Sequence, residues 1–293
     1  MPPASAADMA QLLQATGYLS DDALATVTYL AVRMQRPVLL EGEPGTGKTA
    51  LAEALAEGLG VPLIRLQCYE GIDAAQALYD WNFPQQILHL RALEAAGEVT
   101  RETVDQAEKS VYGERFLAAR PILQALRQSP AVLLVDEIDR ADDEFEAFLL
   151  EVLSTYQVSI PELGTVRAAT PPMVVLTSNR TRELHDALKR RCLYHWIDHP
   201  DLEQEVRIAR SRAPEVSETL RRQVVEVVQR LRAGEGLQKP PGVAETLDWA
   251  RALHHLGAGE LDLASAAATL GALVKYREDV DRARNALDRL LLP

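Results

Sequence analysis

The sequence predicts an α/β protein, in which a parallel sheet flanked by helices is followed by an all-α domain. Three observations carry that expectation. Short, fully apolar runs at Pro37–Leu40, Ala131–Val135 and Met173–Thr177 have the signature of strands buried on both faces. Helical periodicity lies between them, the alternation that produces parallel sheets. From His199 onward the strand signals stop and only helical patterns remain, which places the domain boundary between 1–198 and 199–293.

Element by element, residues 1–19 are small and mixed and read as a loose lead-in. Ser20 stands as an N-cap, with Asp21 and Asp22 in the positive first turn of a helix. Leu24, Val27, Leu30 and Met34 give that helix one apolar face. The strand ending at Leu40 runs into a glycine-rich turn and then a helix from about Lys48 to Leu59, which Gly60 terminates. Val61 to Cys68 is the next strand. Residues 71–128 are mostly helical by pattern, broken at Pro84 and Pro121. A helix from about Asp142 to Leu153 follows the second apolar strand. Tyr156, Val158 and Ile160 alternate with Gln157 and Ser159, and Pro161 to Gly164 can turn the chain back through Thr165–Arg167. That is a β-hairpin whose alternating polarity leaves little of it for the core. Helical patterns fill 201–233 and 243–290, separated by turn-forming residues at 233–236 and 239–242.

Composition narrows the function classes. At 293 residues the chain suits two unequal domains, and 47% apolar with 25% charged residues is an ordinary globular balance. A net charge of −12 repels polyanions, so no nucleic-acid partner is expected. Cys68 and Cys192 fall outside any CxxC pattern and read as reduced core residues. Met1–Ala10 lacks the basic and apolar regions of a secretory signal, and no apolar run approaches a membrane span. The expected location is cytoplasmic.

The stretch Gly42-Glu43-Pro44-Gly45-Thr46-Gly47-Lys48-Thr49 fits G-x-x-x-x-G-K-[ST], between a buried strand and a helix as that motif requires. Its glycines let backbone N–H groups converge on phosphates at a helix N-terminus. Lys48 would reach the β/γ oxygens, and the Thr49 hydroxyl would ligate Mg²⁺. Val132–Val135 delivers two carboxylates at a strand's C-terminal end, where open α/β sheets bind ligands. Asp136 would hold the Mg²⁺ of Mg-ATP, and Glu137 would deprotonate the attacking water. A P-loop kinase would instead transfer to a bound hydroxyl, and the carboxylate beside Asp136 favours water. Asn179, at the end of the next apolar strand, could hold that water, or it could simply form a turn. Lys189-Arg190-Arg191 ends a short helix, where basic residues compensate the dipole or supply an arginine finger to a neighbouring subunit.

These motifs together resemble the AAA+ superfamily. More narrowly the chain is similar to the MoxR family and its branch associated with maturation of carbon monoxide dehydrogenase-type molybdenum enzymes. The resemblance rests on 42–49, Leu66–Asp73, Ala77–Asn82, Val135–Arg140, Thr177–Asn179 and Ala187–His195. It implies a P-loop AAA+ core with a helical lid and a homo-hexameric ring with ATP between subunits. It also implies chaperone-like remodelling of a client enzyme, with a von Willebrand A domain adaptor. The hairpin near 156–167 and the stretch near 74–100 match the family's two insertions. One departure stands out: where the family often has a sensor-2 arginine, this chain has Pro241-Gly242-Val243-Ala244-Glu245. Lys239 and Arg251 flank it and could substitute.

Other features have plainer readings. His195 and His199 fit no H-E-x-x-H pattern, and His254 and His255 point to different sides of a helix, so no zinc site is expected. Residues 201–232 carry seven Arg against six acidic residues, a solvated face. Tyr79, Trp81 and Phe83 pack under an insertion more readily than they stack on a ligand. Two rival functions remain: a nucleic-acid-dependent AAA+ loader, which the acidic balance disfavours, and a regulatory scaffold that binds ATP with negligible turnover, which Glu137 and Asn179 disfavour.

Overall fold

The structure is a computed structural model that describes residues 3–96, 110–234 and 236–291. The helical expectation for 97–109, including the end of the 74–100 insertion, lies outside the described residues, as do Glu235 of the 233–236 turn and the two residues at each terminus. The described chain forms two compact units, one of residues 27–40 and 55–195, the other of residues 3–26, 41–54 and those from Trp196 on.

The first unit is built on a five-stranded parallel sheet of β1 (Val38–Gly42), β2 (Leu63–Gln67), β5 (Val132–Asp136), β8 (Met173–Ser178) and β9 (Leu193–Ile197), in the order β2-β5-β8-β1-β9. Strands β1 and β9 continue into the second unit. β1 and β5 are buried at every residue, as their unbroken apolar runs require. β2 lies at an edge and alternates: Ile64 and Leu66 face the core, while Leu63, Arg65 and Gln67 are exposed. Its parallel register sets Leu63 opposite Val132 and Gln67 opposite Asp136. The core joins Leu39, Ile64, Leu66, Leu133, Val135, Phe145, Leu149 and Leu176.

Several local expectations change. The N-cap of α2 (Asp22–Met34) is Asp21, whose carboxylate accepts from the Leu24 N–H at 2.6 Å, in place of Ser20. Its buried stripe is Leu24, Ala25, Thr28 and Ala31, with Leu30 and Met34 exposed. Within 71–128 the chain forms α4 (Ala74–Leu78), α5 (Phe83–Ala95) and α6 (Pro121–Arg127). A two-stranded antiparallel ribbon, β3 (Tyr79–Trp81) with β4 (Leu117–Ala119), breaks the helical pattern. Three-residue strands are too short to show alternation. The hairpin is present as β6 (Gln157–Ile160) and β7 (Gly164–Arg167), with Val158 opposite Val166. It contributes more to the core than expected: Val158 and Ile160 are both buried, while Ser159 and Glu162 are exposed. β9 was not legible because Tyr194, His195 and Trp196 interrupt any apolar run.

In the second unit the lead-in is ordered as α1 (Ala6–Ala15), which Ser5 caps by accepting from the Asp8 N–H at 3.1 Å. Met9 and Leu13 are its buried residues. The rest is helical: α9 (Leu202–Arg212), α10 (Glu218–Gly234), α11 (Val243–His255), α12 (Leu263–Leu273) and α13 (Arg277–Leu290). The helical pattern over 243–290 is divided among three of these helices, and that over 201–233 between two. Their core gathers Leu220, Val224, Trp249, Leu253, Leu270 and Leu287. Glu205 is fully buried and satisfied by Arg232 (2.6 and 2.8 Å), Gln229 (2.6 Å) and the Thr246 hydroxyl (2.8 Å). No helix among the described residues is long and apolar enough to cross a membrane.

Candidate functional site

The chain leaves β1 at Gly42, turns through Gly45 (φ +80°) and Gly47 (φ +95°), and enters α3 (Lys48–Leu59). Those positive φ values exclude ordinary side chains, which is why glycine stands at both positions. A Cβ on Gly42 would lie 2.3 Å from the Ile197 carbonyl oxygen, so this position also tolerates no side chain. The loop curls around its own lysine: Lys48 Nζ donates to the carbonyls of Gly42 (2.8 Å) and Glu43 (2.7 Å). Thr46 Oγ1 donates to the Glu43 carbonyl at 2.9 Å. Lys48 is first in α3 and Thr49 second, so the N-terminal end of the helix, with the positive end of its dipole, begins at this loop.

In the same unit, the start of α11 meets this loop through backbone alone. The Val243 N–H donates to the Gly45 carbonyl at 3.0 Å, and a Cβ on Gly242 would lie 2.7 Å from Gly45 Cα. Glu245 turns back to accept from the Gly242 N–H at 3.0 Å. Arg251 is committed elsewhere, to Glu215 at 3.1 Å and to the Arg212 carbonyl at 2.6 Å. Lys239 lines a small cavity with Glu245, Lys275 and Tyr276.

In the first unit, β5 delivers Asp136 and Glu137 into a side-chain network. Asp136 Oδ1 accepts from Thr177 Oγ1 at 2.5 Å, and Oδ2 accepts from Arg65 at 2.5 Å. The same Thr177 oxygen accepts from the Glu137 N–H at 2.9 Å. Glu137 adopts φ 55°, ψ 50°, a left-handed conformation that turns its carboxylate out of the strand direction at a cost in backbone strain. Asn179 Nδ2 reaches Glu137 Oε1 at 3.3 Å; Gln67 Nε2 (3.1 Å) and Arg140 Nε (2.9 Å) reach Oε2. Buried Asp139 ties this turn to the one after β8, its Oδ2 accepting from the N–H groups of Asn179 (3.2 Å) and Thr181 (2.8 Å). Burial, followed by the negative charge of Asp136, Asp139 and Glu137, pushes the Cys68 thiol up to about 12, so it is inert.

The structure thus brings Asp136, Glu137 and Asn179 together, and keeps Gly42 through Thr49 as one cradle. Arg190 and Arg191 end α8 (Asp186–Arg191) and are exposed. The Arg191 guanidinium bonds the Ser154 hydroxyl, and Arg36 clamps the carbonyls of Arg190 (2.8 Å) and Arg191 (3.1 Å). Neither arginine joins the Glu137 network. No role follows from the sequence for Arg65, Gln67, Asp139, Arg140 and Thr177, although all but Arg65 lie in stretches that carry the family resemblance. For Arg65 the signal is the alternation of polar Arg65 and Gln67 with apolar Ile64 and Leu66. As for a metal, Asp136 and Thr49 are hard oxygen donors, the class Mg²⁺ takes. Among the described residues no group of three or more His, Cys, Asp or Glu could hold an ion. Mg²⁺ habitually binds one or two protein oxygens and completes its shell with phosphates and water, so each of these donors, taken in its own unit, is chemically suited to it.

A strand–glycine-loop–helix cradle and a second strand ending in two carboxylates define the P-loop class of nucleotide-binding α/β proteins. The family model of the AAA domain (dynein-related subfamily) matches residues 37–192, more than half of the chain, and the protein belongs to that family of AAA+ ATPases. Among curated relatives, an uncharacterized protein of Staphylococcus haemolyticus is 26% identical over 188 residues, covering 62% of this chain and 63% of its own. One from Staphylococcus aureus is 26% identical over 174 residues, 57% of each chain. The match therefore spans less than two thirds of these relatives' length. Giardia intestinalis Midasin is 50% identical over 48 residues, 16% of this chain and 1% of that one. Solved structures of Thermotoga maritima RuvB, described as a Holliday junction branch migration motor, align with TM-score 0.45 at 15% identity, covering 92% of this chain and 72% of theirs.

Proposed function

We propose that this protein is a MoxR-like AAA+ chaperone that hydrolyses Mg-ATP to remodel or mature a client enzyme, assisting insertion of a metal cofactor. The observation that supports hydrolysis best is the convergence of Asn179, Gln67 and Arg140 on the Glu137 carboxylate, which presents a carboxylate base in a fixed orientation. In this reading the P-loop N–H groups and Lys48 hold the phosphates. Thr49 and Asp136 hold Mg²⁺, which would neutralise charge on the phosphate oxygens. Glu137 takes a proton from water as its oxygen bonds the γ-phosphorus and the bond to the ADP oxygen breaks; Asn179 orients that water. A homo-hexamer, a von Willebrand A domain adaptor, a cytoplasmic location and the 1–198 and 199–293 division belong to the same proposal. Arg190 or Arg191 would act on the nucleotide of a neighbouring subunit.

The test separates binding from turnover. Lys48→Ala is expected to abolish ATP binding in a fluorescent-nucleotide titration. Glu137→Gln is expected to bind almost normally while phosphate release falls by about 10²–10⁴. A Gln variant that hydrolyses at the wild-type rate removes Glu137 from the role of base. Alanine at Arg190 and Arg191 in turn should give one variant that binds but does not hydrolyse, partly rescued on mixing with Lys48→Ala.

A further inference from the structure

The exposed edge strand β2 sends two side chains of one face, Arg65 and Gln67, toward the two carboxylates that β5 delivers. Arg65 Nη2 donates both to Asp136 Oδ2 (2.5 Å) and to Gln67 Oε1 (2.9 Å), while Gln67 Nε2 donates to Glu137 Oε2 (3.1 Å). A single polar chain therefore runs from Asp136 through Arg65 and Gln67 to Glu137. The two ends of the ion pair differ sharply in environment. The Asp136 side chain is 5% exposed, and the Arg65 side chain 51%.

We propose that Arg65 is a displaceable counter-ion of Asp136, which a divalent metal must replace in order to bind; this rests on the reading of Asp136 as the metal's ligand. A buried carboxylate is costly without a cation, so the fold supplies one that remains when no metal is bound. Arg65 is suited to leaving, because a half-exposed guanidinium on an edge strand recovers its hydration with little rearrangement. Its departure also frees the Gln67 side-chain carbonyl oxygen that it holds, so the amide bound to Glu137 keeps only its Nε2 contacts, to Glu137 and to the Cys68 carbonyl. Metal arrival at Asp136 and release of the Gln67 amide from Arg65 thereby become one event, while Asn179 and Arg140 still hold Glu137, and Arg65 acts as a positioning residue that lowers metal affinity in exchange for that linkage.

The experiment measures metal affinity directly, with the full chain saturated with ADP and Mn²⁺ as the probe, free ion being read by electron paramagnetic resonance. Arg65→Gln should bind Mn²⁺ about fivefold to tenfold more tightly than wild type, the size of the lost competition from one charged hydrogen-bonded pair. Arg65→Lys keeps a charge but cannot span Asp136 and Gln67 together; it should fall between the two and serves if the Gln variant does not fold. Asp136→Asn should weaken binding and erase the difference between Arg and Gln at position 65. If the Arg65 variants bind Mn²⁺ no more tightly while Asp136→Asn weakens binding, the counter-ion role is overturned and Asp136 keeps its assignment. If Asp136→Asn leaves Mn²⁺ affinity unchanged, the reading of Asp136 itself fails, and the counter-ion role with it.

Discussion

Gly42 to Thr49 keeps its shape through backbone atoms. Carbonyls of Gly42 and Glu43 hold Lys48, two glycines turn at positive φ, and the Val243 N–H bonds the Gly45 carbonyl. Asp136 and Glu137 are held instead by side chains drawn from β2, β8 and the turns that follow β5 and β8: Arg65, Gln67, Thr177, Asn179 and Arg140. A site built from backbone tolerates most side-chain changes and fails where a Cβ is added. A site built from side chains loses its geometry when one donor is exchanged for an isostere. The two regions should therefore break in opposite ways.

The largest expected effect is Gly42→Ala, whose Cβ would meet the Ile197 carbonyl oxygen at 2.3 Å. We expect a loss of about 3 kcal/mol in urea unfolding, as for an overpacked site, together with loss of nucleotide binding. Gly60→Ala is the control. It has φ +65° and nothing within 4 Å of its Cβ, so only the left-handed penalty of about 1–2 kcal/mol applies. Equal losses at both positions would show that conformation alone, without the close approach to Ile197, sets the tolerance of the cradle.

The next effect falls on the side-chain network. Thr177 is 1% exposed, and its hydroxyl both donates to Asp136 and accepts from the Glu137 N–H. Thr177→Val keeps the shape and removes both bonds, at a cost of about 2 kcal/mol in stability. Phosphate release should fall at least tenfold, with ATP affinity within a factor of two or three of wild type, about 0.5 kcal/mol. A variant with normal turnover would mean that the network does not position Glu137.

The same contrast explains what the sequence could reveal. The cradle was readable as a motif because its constraints act on neighbouring residues: glycine where φ is positive, lysine and threonine where the helix begins. The apolar strands β1, β5 and β8 are readable for the same reason, β1 and β5 being buried along their whole length and β8 from Val174 on. Arg65 and Gln67 depend on parallel register with β5, across some 70 residues, which no local pattern encodes. The β3–β4 ribbon pairs residues distant in sequence, from Tyr79 with Ala119 to Trp81 with Leu117, and offers only three per strand. The alternation of Val158 and Ile160 with Gln157 and Ser159 leaves the extent of their burial open, because the core that receives them comes from elsewhere in the chain. The meeting of Gly45 and Gly242 is a long-range fact of the same kind.

The smallest expected effect separates the two regions by their response to acid. In the second unit His199 is half-buried and its Nδ1 has no hydrogen-bond partner. Burial lowers its pKa below the usual 6.5, and Arg232 lowers it further, against the opposing carboxylates of Glu205, Glu43 and Asp198. The folded state therefore prefers the neutral ring, while the unfolded chain takes up a proton near the ordinary value. The stabilisation from the neutral ring is complete above about pH 6.5 and is lost as pH falls toward the depressed folded value, since the unfolded state binds more protons in that window. Urea midpoints measured at pH 7.5 and pH 5.5 should show a drop in the wild type that shrinks in His199→Gln. Nucleotide contact by Glu43 and Lys48 would be unaffected at pH 7.5, where the ring is neutral in both states. The drop should appear in a probe of the second unit, such as fluorescence of buried Trp249, in a variant whose other tryptophans, Trp81 and Trp196, are replaced by phenylalanine. An identical pH response in wild type and His199→Gln would show that carboxylates, and not this imidazole, set the acid sensitivity of the unit that carries the cradle.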